Sequence, residues 1–263
     1  MSPRSRFVLV HGTFHGGWCW QRVADRLRRA GSCVYTPTLA GLAERACELS
    51  AAIGLESHVA DLASLLLDND LYDVVLVGHS YGGMVVTGAA DRCRERIRTL
   101  VYLDATIPVS GMSQDALRGR VGPRDVISVN GVACLPVPRS PHPFGVDEEQ
   151  ERRWLEERLT PHPLRTKTDP LILSGPLPAH IRRVYDRCGL GWDGQPRVGE
   201  PSDRWRPELV GAVDDREITA VHDAMVTDPD LVARVLLSLA RPSGAAGGLR
   251  YARAPHHRFS EES

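Results

Sequence analysis

Residues 74–84 read Val74-Val75-Leu76-Val77-Gly78-His79-Ser80-Tyr81-Gly82-Gly83-Met84. Four consecutive apolar residues, three of them β-branched, predict a strand buried on both faces. Small and apolar residues from Met84 onward predict a helix over 84–93. The turn between them has the pattern Gly-x-Ser-x-Gly. A serine there sits on a strand-to-helix turn so sharp that its backbone is strained, and only small neighbours such as Gly78 and Gly82 permit it. The helix that follows aims unpaired N–H groups and the positive end of its dipole at the same point. Ser80 is therefore the candidate nucleophile.

Outward from that turn, the rest of the chain alternates in the same way. Apolar, β-branched runs at 7–10, 33–35 and 97–103 predict further strands, and 181–185 and 217–221 predict two more that are interrupted by charge. Amphipathic patterns predict helices over 20–29 and 55–67. A last helix is marked by Asp228 as N-cap, Pro229 at its first position and the stripe Leu231, Val235, Leu236, Leu239. This is an α/β architecture, with a mostly parallel central sheet flanked by helices. From Pro108 to about Ala179 the alternation stops. The stretch is proline-rich, holds a charged helix over about 147–159, and is too long for a simple connection, so it predicts an inserted cap. The expected organisation is a core of residues 1–107 and 180–241, a cap of 108–179 and a disordered glycine-rich tail of 242–263.

His11-Gly12-Thr13-Phe14-His15-Gly16-Gly17 follows the first strand. A loop in that place supplies one N–H of an oxyanion hole, beside the residue after the nucleophile. The expected donors are the amides of Phe14 and Tyr81. Thr13, His15 and Met225 are the residues expected to meet the substrate. His11 and His15 have the spacing of a helical metal pair, but glycines at 12, 16 and 17 oppose a helix and no third ligand lies near. No metal and no cofactor are expected.

His222 follows the last expected strand and precedes the final helix. A serine hydroxyl is a poor nucleophile at neutral pH, and an imidazole must take its proton. The third member of such a triad has several candidates. Asp104 ends the strand 97–103, Asp193 lies after the later strand, Asp186 lies within that strand, and Asp223 is too close in sequence to His222 to orient it. Asp104 is favoured, with Asp193 as the alternative.

Composition narrows the class. The 263 residues carry a net charge of -1, so no global field favours nucleic acid or an anionic membrane. Of 32 basic residues only Lys167 is a lysine. Six scattered cysteines read as free thiols in a reducing compartment. No apolar run is long enough to span a bilayer, and a soluble, cytoplasmic protein is expected.

Taken together, residues 7–20, 77–83, Val101-Tyr102-Leu103-Asp104-Ala105 and His222-Asp223-Ala224-Met225 resemble one branch of the α/β-hydrolases. That branch is the plant methylesterase and hydroxynitrile lyase group with its bacterial esterase relatives. The segment Leu159-Thr160-Pro161-His162-Pro163-Leu164 is similar to the bacterial members. The resemblance implies ester hydrolysis through an acyl-enzyme, with a cap over an apolar pocket. Two departures stand out. The usual acid follows the strand after the cap, whereas Cys188-Gly189-Leu190-Gly191 has glycine where it would fall. The lyases carry a lysine directly after the catalytic histidine, where this chain has Asp223.

The expected activity is hydrolysis of a small-to-medium apolar carboxylic ester, lactone or thioester. The expected partner is that small molecule alone, with a homodimer left open. A lyase or C–C bond-cleaving enzyme on the same scaffold is one alternative, and a non-catalytic ligand-binding scaffold is another. Haloalkane dehalogenase and epoxide hydrolase chemistry need a carboxylate at the position of Ser80.

Overall fold

A computed structural model describes residues 5–120, 124–140, 143–191, 193–197 and 213–240. The chain opens with strand β1 (Arg6–Val10), helix α1 (Gln21–Arg29), β2 (Cys33–Tyr35), α2 (Leu55–Asp68), β3 (Val74–His79), α3 (Gly82–Arg92) and β4 (Ile97–Leu103). The segment that follows holds α4 (Gln114–Leu117), β5 (Ile127–Val129), β6 (Val132–Leu135), α5 (Glu149–Glu156), β7 (His162–Pro163) and α6 (Arg165–Thr168). The chain then returns through β8 (Arg182–Cys188), β9 (Asp214–Ile218), α7 (Ala224–Thr227) and α8 (Pro229–Ala240).

Six of these strands form one sheet in the order β2-β1-β3-β4-β8-β9, every neighbouring pair parallel. Alternate residues of each strand face opposite sides, because side chains alternate along a strand. Phe7, Leu9, Val75, Val77, Val101 and Val184 pack with α1 and α8 on one face. Val8, Val10, Leu76, Leu100, Tyr102 and Tyr185 pack with α2 and α3 on the other. Both layers are buried, and each such aliphatic side chain contributes about 1.5–3 kcal/mol. The sheet is thus a rigid base for the loops at its edge.

The charges that interrupt the last two strands have partners across the ladder. Asp186 lies opposite Arg216 and is held by it through two bonds of 2.7 Å. Arg182 reaches Asp214 at 2.7–2.9 Å, and Arg187 reaches Glu217 at 3.3 Å. Paired in this way, charges are compatible with a strand at the sheet edge. The last helix begins as expected: Asp228 Oδ1 accepts the N–H of Leu231 at 2.9 Å.

The proline-rich segment departs from its strand-free reading. It contains a three-stranded antiparallel sheet in the order β5-β6-β7. Its hairpin turns at Asn130-Gly131, both with positive φ (50° and 81°), the pairing that a two-residue hairpin demands. The expected tail, 242–263, lies outside the described residues.

Because all six strands are parallel, the loops after β1, β3, β4 and β9 emerge at one edge. The chain leaves β1 for β2 on one side and comes back to β3 on the other. That reversal opens a crevice at the strand ends between β1 and β3, the place where open α/β sheets bind ligands.

Candidate active site

The elbow is held by β4. Ser80 has φ +53°, its N–H donates to Leu103 O at 3.3 Å, and its carbonyl accepts from Thr106 N at 2.9 Å. Such a conformation costs a non-glycine residue roughly 1–3 kcal/mol and persists only where the surroundings over-determine it. The flanking glycines are required by close approach: a Cβ on Gly78 would stand 2.7 Å from the Gly82 carbonyl, and one on Gly82 2.8 Å from His11 O. Ser80 is nearly buried, and its hydroxyl bonds to no described residue.

His222 lies buried on the loop between β9 and α7. Its Nδ1–H donates to Asp104 Oδ2 at 2.5 Å. Its carbonyl accepts from His79 Nε2–H at 2.9 Å, so the residue before Ser80 also grips the backbone of His222. Asp104 is fully buried at the end of β4, with φ +43°. Asp193, the alternative acid, is exposed and caps its own turn through the N–H of Gln195 at 3.1 Å. Asp186 is engaged by Arg216.

The loop after β1 lies against the elbow: a Cβ on Gly12 would be 2.8 Å from Ser80 Cβ. One expected oxyanion donor is committed elsewhere. The N–H of Phe14 donates to Nδ1 of His162 at 3.2 Å, whereas the amides of Thr13 and Tyr81 donate to no described residue. Phe14 is turned aside by its own backbone, at φ +71°. The direction of an amide depends on φ and ψ, which loop composition does not reveal.

A serine on a strained strand-to-helix turn and a buried His–Asp pair thus meet at one edge of the parallel sheet. The family described as the alpha/beta hydrolase family matches residues 7–257. The chain belongs to that family. A carbendazim hydrolyzing esterase of Nocardioides sp. (strain SG-4G) is 38% identical over 248 residues, covering 89% of this chain and 99% of that one. Methylesterase 4 of Arabidopsis thaliana is 38% identical over 107 residues, 40% of this chain and 41% of that one. Among solved structures, polyneuridine aldehyde esterase superposes with a TM-score of 0.70 at 21% identity, covering 91% of this chain and all of that one. An extracellular alpha/beta-hydrolase from a Paenibacillus species gives 0.69 at 23% identity over 90% of this chain and all of its own. This hydrolase is an enzyme of the carboxylesterase-like type. No described helix is long and apolar enough to cross a membrane.

Two residues expected to meet the substrate in this hydrolase serve other purposes. His15 is buried, its Nδ1–H donating to Thr13 O at 2.7 Å and its Nε2–H to Asp223 Oδ2 at 2.9 Å. Both nitrogens face acceptors, so the ring carries two protons and a positive charge. Burial opposes that charge, but Asp223 outweighs it and holds the pKa of His15 above the ordinary value. Met225 is buried in the core layer that includes α1 and α8. Thr13 alone of the three stays at the mouth of the crevice, its Oγ1 accepting from Lys167 Nζ at 2.7 Å.

Burial keeps His79, His11 and His58 neutral. Burial pushes His79 down to about 3, with the neighbouring His222 adding to the effect. His11, accepting from Leu39 N and donating to Gly12 O, is pushed down to about 3 by burial. His58, between the Tyr81 hydroxyl and Ala40 O, is pushed down to about 4 by the same cause. His79, His222 and Asp223 lie close enough together to hold a cation. However, His79 Nε2 is bound to a carbonyl and His222 Nδ1 to Asp104, so this cluster is bonded as a packing shell around the base.

Sequence reading missed three polar residues of the site. His162 and Lys167 come from the segment between β4 and β8, and Arg197 from the loop after β8. For His162 the flanking prolines were a legible signal of a fixed position. For Lys167 it was solitary occurrence in a chain otherwise using arginine.

Proposed function

We propose that the protein hydrolyses small-to-medium apolar carboxylic esters, lactones or thioesters through an acyl-enzyme on Ser80. His222 removes the serine proton through Nε2 as Oγ attacks the carbonyl carbon. Asp104 fixes the ring tautomer that leaves Nε2 as acceptor and stabilises the imidazolium that forms. The amides of Thr13 and Tyr81 receive the oxyanion, Thr13 taking the place expected of Phe14. The imidazolium then protonates the leaving alcohol or thiol, and a water activated by the neutral ring releases the acid. The observation that carries this reading is the 2.5 Å bond between His222 Nδ1 and Asp104 Oδ2, made by two buried residues 118 positions apart.

Residues 108–179 act as the cap in this reading. Thr160 N bonds to Phe14 O at 3.0 Å, and His162 and Lys167 reach the same loop, so the segment roofs the oxyanion side of the crevice. Methyl esters and carbendazim are the first compounds to assay, from the names of the relatives. The lyase alternative is disfavoured, since Asp223, where the lyases carry lysine, is bound to His15.

The test is Ser80→Ala with p-nitrophenyl esters under pre-steady-state conditions. The unsubstituted protein should show a burst of p-nitrophenol equal to the enzyme concentration. Ser80→Ala should show none while its circular dichroism is unchanged. Undiminished turnover by Ser80→Ala would remove the serine from the mechanism.

A further inference from the structure

The carboxylate of Asp104 has a second strong partner. Arg197 Nη1 lies 3.1 Å from Oδ1 and Nη2 3.0 Å from Oδ2, the fork geometry of a bidentate pair. Oδ2 is thereby shared between the guanidinium and His222 Nδ1. Arg197 is itself fixed. Its Nε donates to Leu190 O at 3.0 Å and its backbone N–H to Gly189 O at 2.8 Å, so the whole guanidinium plane is set by the loop after β8. Burial works against the cation, but the bonds and field of Asp104 outweigh it and raise the Arg197 pKa.

We propose that Arg197 is a positioning residue for the hydrolytic reaction, holding the Asp104 carboxylate in the plane of the His222 ring and lowering the basicity of that ring. The inference rests on the triad reading given above. Two effects of the fork are separable. Gripping both oxygens prevents the carboxylate from rotating, which keeps Oδ2 on Nδ1. Drawing charge from the carboxylate weakens its support of the imidazolium, so His222 stays neutral, and competent as a base, at lower pH than beside an uncompensated aspartate. Other titratable or charged groups surround the pair. His79 has its ring 4.5 Å from that of His222, and Asp223 and His15 lie behind His79. Asp186 accepts the Asp104 N–H through its carbonyl and is paired with Arg216, while Cys188 and Tyr185 face Arg197. All of these remain when Arg197 is replaced, so the shift is read against a constant background.

The experiment compares kcat/KM of the full chain from pH 5 to 9 for the unsubstituted protein, Arg197→Met and Arg197→Lys, with p-nitrophenyl butyrate. Arg197→Met should move the acidic limb up by about one pH unit, which is about a tenfold extra loss at the foot of the profile. Its plateau kcat should fall more than KM changes. Arg197→Lys, which keeps the charge without the fork, should restore the limb but not the plateau. A scaled Arg197→Met profile that superimposes on the unsubstituted one overturns the inference, since a purely structural residue lowers the plateau without moving the limb. A second measurement needs no turnover. By ¹³C NMR the His222 ring should titrate about one pH unit higher in Ser80→Ala/Arg197→Met than in Ser80→Ala. Equal titration midpoints in the two proteins overturn the proposal. Failure of the triad reading itself is distinguishable, because then Ser80→Ala retains turnover.

Discussion

His15 Nε2 and Asp223 Oδ2 lie 2.9 Å apart in full burial, joining the loop after β1 to the loop that carries His222. The pair thus ties the Thr13 loop to the residue next to His222. Two charges withdrawn from water are stable only while both are present. Asp223→Ala is therefore expected to lower the unfolding free energy by about 3–5 kcal/mol, the cost of breaking a buried pair. Asp223→Asn should cost less, since its amide oxygen still accepts from Nε2–H. Urea unfolding of the three proteins measures this, and equal midpoints would mean that the pair holds nothing together.

Stability should fall on mild acidification. For His11, His58 and His79 the folded pKa lies below the ordinary 6.5, at about 3, 4 and 3, chiefly because burial disfavours the charged ring. His162 is shifted the same way. Between pH 6.5 and those values the unfolded chain binds protons that the folded one does not. Stability present above pH 6.5 is thus lost as pH falls. His15 has the opposite sign: its raised pKa contributes stability below 6.5, lost as pH rises through the folded value. Four groups against one predict a loss of at least about 2 kcal/mol between pH 7 and 5. Urea midpoints across that range check it; a flat profile would contradict the neutral assignments.

Asp104→Asn and Asp193→Asn should separate cleanly. Loss of a triad acid with geometry retained lowers kcat about 10⁴-fold. That loss is expected for Asp104→Asn, and activity within about twofold for Asp193→Asn, whose carboxylate only caps a turn. Steady-state assays with a p-nitrophenyl ester decide it, and the reverse order would transfer the role to Asp193.

Gly78→Ala should abolish the folded enzyme rather than merely weaken it. The added methyl would stand 2.7 Å from the Gly82 carbonyl and from Val86 Cγ2, where the strand and helix of the elbow meet. Neither backbone can withdraw without moving β3 or α3. Soluble yield and circular dichroism measure the outcome, and a folded, active Gly78→Ala would mean that the elbow is looser than its geometry implies.

Much of the fold is legible in the sequence. The strand 74–77 and the turn at Ser80 announce themselves because a buried parallel strand must be apolar throughout and a strained elbow needs small neighbours. The cap of α8 by Asp228 was equally local. Glycine at the place where the family resemblance puts the acid favours Asp104 as the candidate, and its carboxylate accepts from His222 Nδ1. Asn130-Gly131 is a local hairpin signal of the same kind, set among prolines that mask the alternation around it.

The sequence by itself determined the order of strands and helices in the parallel-sheet core, the elbow and the candidate base, since each depends on residues within a few positions of one another. The partners of those residues were decided only by the tertiary structure. His15 belongs with Asp223, 208 positions away, and the amide of Phe14 with His162, 148 away. Arg197 belongs with Asp104, 93 positions away. Hydrogen bonds and charge pairs act over about 3 Å in space whatever the separation along the chain, and periodicity carries no record of which loops the parallel sheet brings to a common edge.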